Sequence, residues 1–190
     1  DLINKIESSS NYTEIHAETE SIISKIYWCQ AQWEESEYHC EEAYKLFKLI
    51  SKQSGYARCE NMYGTLYGEK GDFIKAQEHF KKALTYLNND EDISLQAMIL
   101  TNLGIINTIN GNFEQAIWNH KNSIEKFEKL NDLNRVGRVY HNIGMLYTRM
   151  LKYDEALEEF NKCITVSLET NYLSNCAIAY IGKAYIYTKL

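Results

Sequence analysis

Residues 102–120 read NLGIINTINGNFEQAIWNH, and this stretch decides the fold. Apolar residues recur at helical spacing up to Ile109, where Asn110-Gly111-Asn112 interrupts the pattern. A second helical pattern begins near Phe113, and Asn112 stands at the N-cap position in front of it. The stretch therefore predicts two helices joined by a tight turn.

The pattern returns every 40 residues, and we call each set of positions at this interval a column. One column holds only small residues, namely Ser24, Gly64, Gly104, Gly144 and Ala184. Other columns hold mostly tyrosine three positions later, an aromatic residue nine positions later, and alanine or serine three beyond that. Glycine within a helix costs about 1 kcal/mol relative to alanine. Three glycines in one column therefore predict that the two helix backbones approach closely there.

These columns resemble the tetratricopeptide repeat. The family signature (Leu-Gly-x-x-Tyr, then Gly-x-Tyr/Phe-x-x-Ala, then Phe-x-x-Ala) is present as Tyr63-Gly64, Tyr67, Gly71, Phe73, Ala76, Phe80 and Ala83. The unit differs from the family's length of about 34 residues, the closing proline is absent, and the first copy is degenerate. Long units of this kind resemble those of kinesin light chains, spindle-orientation scaffolds, bacterial peptide-pheromone receptors and bacterial regulator sensor regions. The resemblance does not choose among these proteins.

The resemblance implies an all-α fold, a right-handed superhelical array of antiparallel helix pairs (an α-solenoid) with about four and a half repeats. The first helix of each pair should precede the turn, and the second should follow it, with Asp72 as another candidate N-cap. Helices are predicted near residues 13–30, 34–51, 54–70, 73–89, 93–110, 113–130, 134–151, 154–170 and 173–190. The repeats are expected near 13–52, 53–92, 93–132 and 133–172, with a partial repeat at 173–190, in a single array over residues 1–190.

The phase of the repeat at both ends gives a further expectation. Leu2, Ile3 and Ile6 fall where the end of a preceding second helix belongs. The apolar run AYIGKAYIYTKL at 179–190 falls in a first helix without its partner, whereas repeat arrays end in polar caps. We therefore expect the chain to be a piece of a longer protein.

Composition and charge exclude several function classes. A net charge of −6 argues against nucleic-acid binding, which needs a dense basic stripe. No apolar stretch approaches the roughly 18 residues of a membrane span. The five cysteines form no CxxC pair, which indicates free thiols in a reducing cytosol and a cytoplasmic location.

The sequence gives little sign of catalysis. His39 and His79 share one column, but a metal site needs three or four converging ligands, so we expect no metal and no cofactor. Acidic pairs such as Glu158-Glu159 lie opposite the packing stripe, where charged residues face solvent. A Cys–His nucleophile pair stays open, although no Gly-rich oxyanion loop accompanies it. The chain is therefore not expected to be an enzyme.

By resemblance to the family, the first helices line a concave face that binds ligands. The candidate residues on this face are Lys25, Arg58, Asn61, Met98, Thr101, Asn102, Arg138, His141, Asn142, Met145 and Arg149. Asn102 and Asn142 recur one repeat apart, and an amide both donates and accepts hydrogen bonds, which suits a peptide main chain. Local backbone contacts are an equally good explanation of these asparagines.

The charges of this face suggest the type of ligand. Lys25, Arg58, Arg138 and Arg149 outnumber the two acids that share their columns, Glu18 and Glu69. This cationic excess on an acidic chain favours an acidic peptide or a free carboxylate.

Two functions remain open. The first is a non-catalytic module that binds a protein or an extended peptide and regulates an attached effector domain in signalling or transcription control. The second is a structural scaffold that self-associates through its repeat ends, forming a homo-oligomer without a ligand in the groove.

Overall fold

The structure is a computed structural model that describes residues 2–87 and 92–190, with side chains from residue 9 onward. These residues form nine helices and no strand. The helices are α1 (Leu2–Cys29), α2 (Trp33–Leu49), α3 (Gln53–Glu69), α4 (Phe73–Thr85), α5 (Ile93–Ile109), α6 (Phe113–Lys129), α7 (Leu133–Arg149), α8 (Tyr153–Glu169) and α9 (Leu173–Tyr187). The predicted all-α repeat fold is confirmed.

The helices fall into two compact units, Asp1–Asp92 and Ile93–Leu190. In the first unit, α1 pairs with α2 and α3 with α4, and α3 also contacts α1 and α2. In the second unit, α5 pairs with α6 and α7 with α8, while α9 packs against α8 and α7. The predicted single array over the whole chain stays a prediction.

Each described three-residue turn has a residue with positive φ at the same position. Gly71 and Gly111 have φ near +80°, and the equivalent residues of other turns are not glycine: Ala31, Ser51, Asn131, Leu151 and Asn171. The next residue donates its N–H to the carbonyl five residues back, as from Asp132 to Phe127 at 2.9 Å. In this helix-ending motif, N–H groups of the turn donate to carbonyls of the last helical turn that would otherwise have no hydrogen-bond partner. A repeat of the second unit is therefore two 17-residue helices, each followed by a three-residue turn.

The N-cap prediction holds at one of its two positions. The carboxylate of Asp72 accepts the Lys75 N–H at 3.1 Å and caps α4 as expected. Asn112 precedes α6, but its side chain makes no capping bond. The backbone bond from Asn112 N–H to the Asn107 carbonyl at 2.8 Å fixes this turn without it.

The predicted boundaries need correction at three places. Helix α1 is continuous from Leu2, so no turn separates a preceding second helix from residues 13–30. The side chains of Leu2, Ile3 and Ile6 lie outside the described part of the chain. Helix α4 ends at Thr85, and the predicted continuation to 89 partly lies outside the described residues. Helix α9 ends at Tyr187 rather than 190.

The glycine column receives an aromatic or imidazole ring from the second helix. A Cβ placed on Gly64, Gly104 or Gly144 would meet the ring of Phe80, His120 or Phe160, respectively, at 2.4–2.6 Å. In the first repeat, Ser24 and Ser36 instead exchange hydroxyl-to-carbonyl hydrogen bonds of 2.7 and 2.8 Å. The helices thus approach closely as predicted, but in repeats two to four the glycine's immediate neighbour is a ring.

The turn geometry predicts that Leu151→Gly stabilises the protein. Leu151 is exposed and has φ +58°, a conformation that costs an L-residue about 1–2 kcal/mol. Glycine relieves this cost but loses more backbone entropy on folding, so a net gain of about 0.5–1 kcal/mol is expected from urea unfolding. The matched control Gly111→Leu, in the same type of turn, should destabilise by a similar amount. Loss of stability in Leu151→Gly would contradict this account.

Candidate binding face

Four of the predicted site residues form one exposed stripe along α7. Arg138, Asn142, Met145 and Arg149 are spaced by four, three and four residues, which places them on the same side of the helix. Both arginines are exposed, Met145 is 43% exposed, and Asn142 is half-buried. We call these four residues the α7 stripe.

Apolar side chains flank the α7 stripe on both neighbouring helices. Helix α7 contacts α5 on one side and α9 on the other. In the column of Met145, α5 carries Ile105, which is 38% exposed, and α9 carries Tyr185, which is 52% exposed. Met98 on α5 and Ile178 on α9 share the column of Arg138, and both have partly exposed side chains. The three first helices of the second unit therefore present a mixed apolar and polar face.

The charge on this face is entirely positive. Helix α5 has no charged residue, α7 carries three arginines and α9 carries one lysine, and none of these helices carries an acid. Arg135 is engaged, because it bonds the Ser94 hydroxyl at 2.8 Å and pairs with Asp132 at 3.4 Å. Within the described residues, Arg138 and Arg149 make no ion pair and no hydrogen bond. Two guanidinium groups are thus available to an anionic ligand.

The two asparagines of the predicted ladder differ. Asn142 is half-buried and makes no side-chain hydrogen bond to the described residues. Asn102 lies in the same column on α5, and is half-buried, but it already interacts with a neighbour. The available amide on this face is therefore that of Asn142.

Two predicted site residues turn toward the second helices of their own repeats. The hydroxyl of Thr101 bonds the Ala97 carbonyl at 2.9 Å and the Ser123 hydroxyl of α6 at 2.6 Å. The ring of His141 packs against Phe160 of α8 with centroids 5.5 Å apart, and burial lowers its pKa. These side chains support helix packing, and the structure does not bring them to the α7 stripe.

The three predicted site residues of the first unit offer a ligand less unpaired positive charge than the α7 stripe does. Arg58 forms an ion pair with Glu18, which occupies the same column one repeat earlier. Lys25 is exposed on α1, and the carbonyl of Asn61 accepts the hydroxyl of Thr65 at 2.9 Å. Because Glu18 neutralises Arg58, the cationic excess predicted for the first helices is concentrated on α7.

A polar cluster in the first unit escaped prediction. Glu60 is only 2% exposed, and its carboxylate accepts bonds from His79 at 2.7 Å and Lys82 at 2.6 Å. Burial alone would raise the pKa of Glu60, but these two bonds hold it below its usual value. Tyr67 stacks on the His79 ring, with centroids 5.2 Å apart. The sequence could have revealed this cluster, because Glu20, Tyr27 and His39 occupy the same columns one repeat earlier and form the same arrangement.

The described residues contain no group of three or more His, Cys, Asp or Glu side chains that could hold a metal ion. All five cysteines are free, and only Cys29 is exposed. None of the helices in residues 2–87 and 92–190 is long and apolar enough to cross a membrane.

The tetratricopeptide repeat profile matches residues 16–89 and 95–169, which is most of the chain. The chain belongs to the tetratricopeptide repeat family. No curated protein sequence matches it. Membership of this family supports a general protein-binding module and confirms the resemblance seen in the columns.

Solved structures show the same fold. The chain is similar to aspartyl phosphate phosphatase F from Bacillus subtilis (TM-score 0.82, 22% identity), over 91% of this chain and 45% of the phosphatase. It is also similar to the apo form of RapI (0.78, 19%), over 92% of this chain and 66% of RapI. BtubC from P. vanneervenii matches 99% of this chain over 84% of its own length (0.75, 18%). At these identities, the likeness concerns the fold alone.

Proposed function

We propose that this tetratricopeptide repeat protein binds an extended segment of a partner protein on the face formed by α5, α7 and α9. An acidic group of the ligand pairs with Arg138 or Arg149, and the side-chain amide of Asn142 contacts the ligand's main chain. The observation that carries this proposal is the pair of exposed arginines on α7, Arg138 and Arg149, which make no ion pair with the described residues and lie on a face whose three helices carry no acid. We further propose that the module is a sensor region of a larger signalling or transcription-control protein, a role found among the long-unit repeat proteins that it resembles, and its free cysteines favour a cytoplasmic location.

The central test measures binding by alanine variants. Twelve-residue peptides are selected from a random library, labelled with fluorescein and titrated with the protein. A hydrogen bond to a charged group contributes about 1.5–3 kcal/mol, so either Arg138→Ala or Arg149→Ala should weaken acidic peptides about tenfold or more. The matched control Lys121→Ala removes an exposed cation from α6, outside the first-helix face, and should leave binding unchanged. If Arg138→Ala and Arg149→Ala both bind as tightly as wild type, the proposal is overturned.

The role of Asn142 predicts a different pattern. Because a main-chain contact does not depend on the ligand's side chains, Asn142→Ala should weaken peptides of unrelated sequence by similar factors. Raising the sodium chloride concentration should also weaken wild-type binding, since salt screens the attraction between exposed charges. A loss confined to one peptide would assign Asn142 to side-chain recognition instead.

The scaffold function is the second candidate, and α9 favours it. Leu173, Ile181 and Tyr187 are each more than 60% exposed on this helix. If the protein is a scaffold, its sedimentation coefficient should increase with protein concentration in the absence of any peptide, because the chains self-associate. Ile181→Glu should abolish that increase, whereas the peptide-binding function requires neither result.

A further inference from the structure

We infer that the protein forms a dimer in which α1 of one copy packs antiparallel against α1 of a second copy. The inference is independent of the proposed function, whose ligand face lies on α5, α7 and α9. It rests on an exposed stripe along α1 that no other described helix covers. The members of this stripe, which we call the α1 stripe, are Tyr12, Ile15, Thr19, Ile22, Ile26 and Cys29.

The spacing of the α1 stripe is that of a coiled-coil seam. Its members follow one another at intervals of three and four residues, which places them on one side of the helix. The four large apolar members are each more than half exposed. On the opposite side of α1, Ala17 and Ser24 are buried against α2. Helix α1 therefore has two apolar sides, whereas a helix with one packing partner needs only one.

In later repeats, the columns of the α1 stripe are buried by a preceding helix. The column of Thr19 holds Cys59 on α3, Val139 on α7 and Ala179 on α9, which are each at most 1% exposed. These residues belong to the apolar clusters that α3, α7 and α9 form with α2, α6 and α8, respectively. The same side of α1 is thus a helix-packing surface.

The preceding part of the chain does not fold back over the α1 stripe. In front of α3, α7 and α9, a residue with positive φ (Ser51, Asn131 or Asn171) reverses the chain, so that the preceding second helix packs against the first helix. Asn11 occupies the same column, but it lies inside α1. The helix that covers the α1 stripe must therefore come from elsewhere, and a second copy of the chain supplies one.

The α1 stripe is complementary to itself when the two helices are antiparallel. In an antiparallel pair, Thr19 of one copy faces Ile22 of the other, because the two kinds of seam position alternate. The same register places Ile15 beside Ile26 and Tyr12 beside Cys29. Since α2 already holds α1 as a helix, pairing requires no new helix formation.

The charges beside the α1 stripe favour the antiparallel direction. Lys25 and Glu18 flank it on the same side, so an antiparallel pair brings Lys25 of each copy next to Glu18 of the other. A parallel pair would place Lys25 beside Gln30 and would bring no opposite charges together. A carboxylate accepts several hydrogen bonds, so Glu18 can receive this lysine while it holds Arg58 and Lys52.

Sedimentation equilibrium of the whole chain tests the dimer. Interfaces of ordinary size have micromolar or tighter Kd values, so the protein at about 100 µM should have twice the chain mass of 22.2 kDa. Ile22→Glu places a carboxylate in the seam and should return the mass of one chain. The matched control Ile74→Glu changes an isoleucine that is 74% exposed on α4 and should leave the dimer intact. Circular dichroism should show wild-type helix content in both variants.

Disulfide formation tests the direction of the two helices. Under mild oxidation, Tyr12→Cys should give a crosslinked dimer, because the new thiol lies beside Cys29 of the second copy. Wild type should not crosslink, since the two copies of Cys29 lie at opposite ends of the α1 stripe, about 26 Å apart. Tyr12→Cys combined with Cys29→Ser should not crosslink either.

Three results would overturn the inference. The dimer is wrong if wild type has the mass of one chain at about 100 µM, or if Ile22→Glu sediments as wild type does. Loss of the dimer in Ile181→Glu but not in Ile22→Glu would assign self-association to α9 instead. Crosslinking of wild type through Cys29 would show that the helices are parallel.

Discussion

His120→Phe is expected to stabilise the protein by about 1–3 kcal/mol at neutral pH. The imidazole of His120 is fully buried on α6, and neither ring nitrogen has a hydrogen-bond partner among the described residues. An unsatisfied buried polar group costs its full desolvation. Phe80 and Phe160 occupy the same column and pack on equivalent glycines, so a phenyl ring fits this position without a new cavity.

His120→Phe should also remove one source of the pH dependence of the free energy of unfolding. Burial lowers the pKa of His120 to about 4, from 6.5. Above pH 6.5 the imidazole is neutral in both the folded and the unfolded chain, so stability there is independent of this group. Below pH 6.5 the unfolded chain gains the proton first, and stability falls until the pH reaches about 4. Linkage gives a loss of about 2 kcal/mol between pH 7.5 and pH 5.

Urea unfolding at pH 7.5 and pH 5.0 measures both effects. The difference between wild type and His120→Phe should widen by about 2 kcal/mol at the lower pH, because other titrating groups cancel in the comparison. His16→Phe replaces an exposed histidine and should show no such widening. If His120→Phe and wild type lose the same stability between pH 7.5 and pH 5.0, the idea that the folded protein keeps the imidazole of His120 buried and neutral is wrong.

The repeat predicted helices and turns well because both depend on residues that are close in sequence. Gly111 permits the left-handed turn, and the apolar spacing on either side defines α5 and α6. The same period also places His120 in the column of Phe80 and Phe160, so its burial could have been predicted. The ion pair of Glu18 with Arg58 has a similar basis, because these residues share a column on neighbouring first helices.

The candidate face was less predictable, because its edges depend on residues far away in sequence. Thr101 and His141 occupy a column at the border between the face and the second helix. Ser123 offers a hydroxyl to Thr101, and Phe160 offers a ring to His141, so both side chains turn inward. Helical spacing alone cannot distinguish such a border position from Asn142, one residue further along.

Gly104→Ala is expected to destabilise the protein by about 1–3 kcal/mol, and Gly104→Leu by at least as much, through overpacking. A Cβ on Gly104 would lie 2.5 Å from Nδ1 of His120, whose ring is enclosed on all sides. Accommodation requires the ring or α6 to move, and α6 also packs against α7. Thermal unfolding of both variants is compared with Glu158→Leu, which adds an apolar side chain at an exposed position of α8 and should cost little.

A double-mutant cycle shows whether the His120 ring is the cause. His120→Ala removes the ring and leaves a cavity, so it destabilises the protein by itself. In that background, the added Cβ of Gly104→Ala enters space that the ring vacated, and its cost should fall by about 1–2 kcal/mol. Additive effects would mean that the glycine is required by the helix backbones themselves. Strong coupling would mean that the glycine column exists to receive a ring, which also explains why repeats two to four need glycine where the first repeat, with Cys40 at the position of His120, tolerates Ser24.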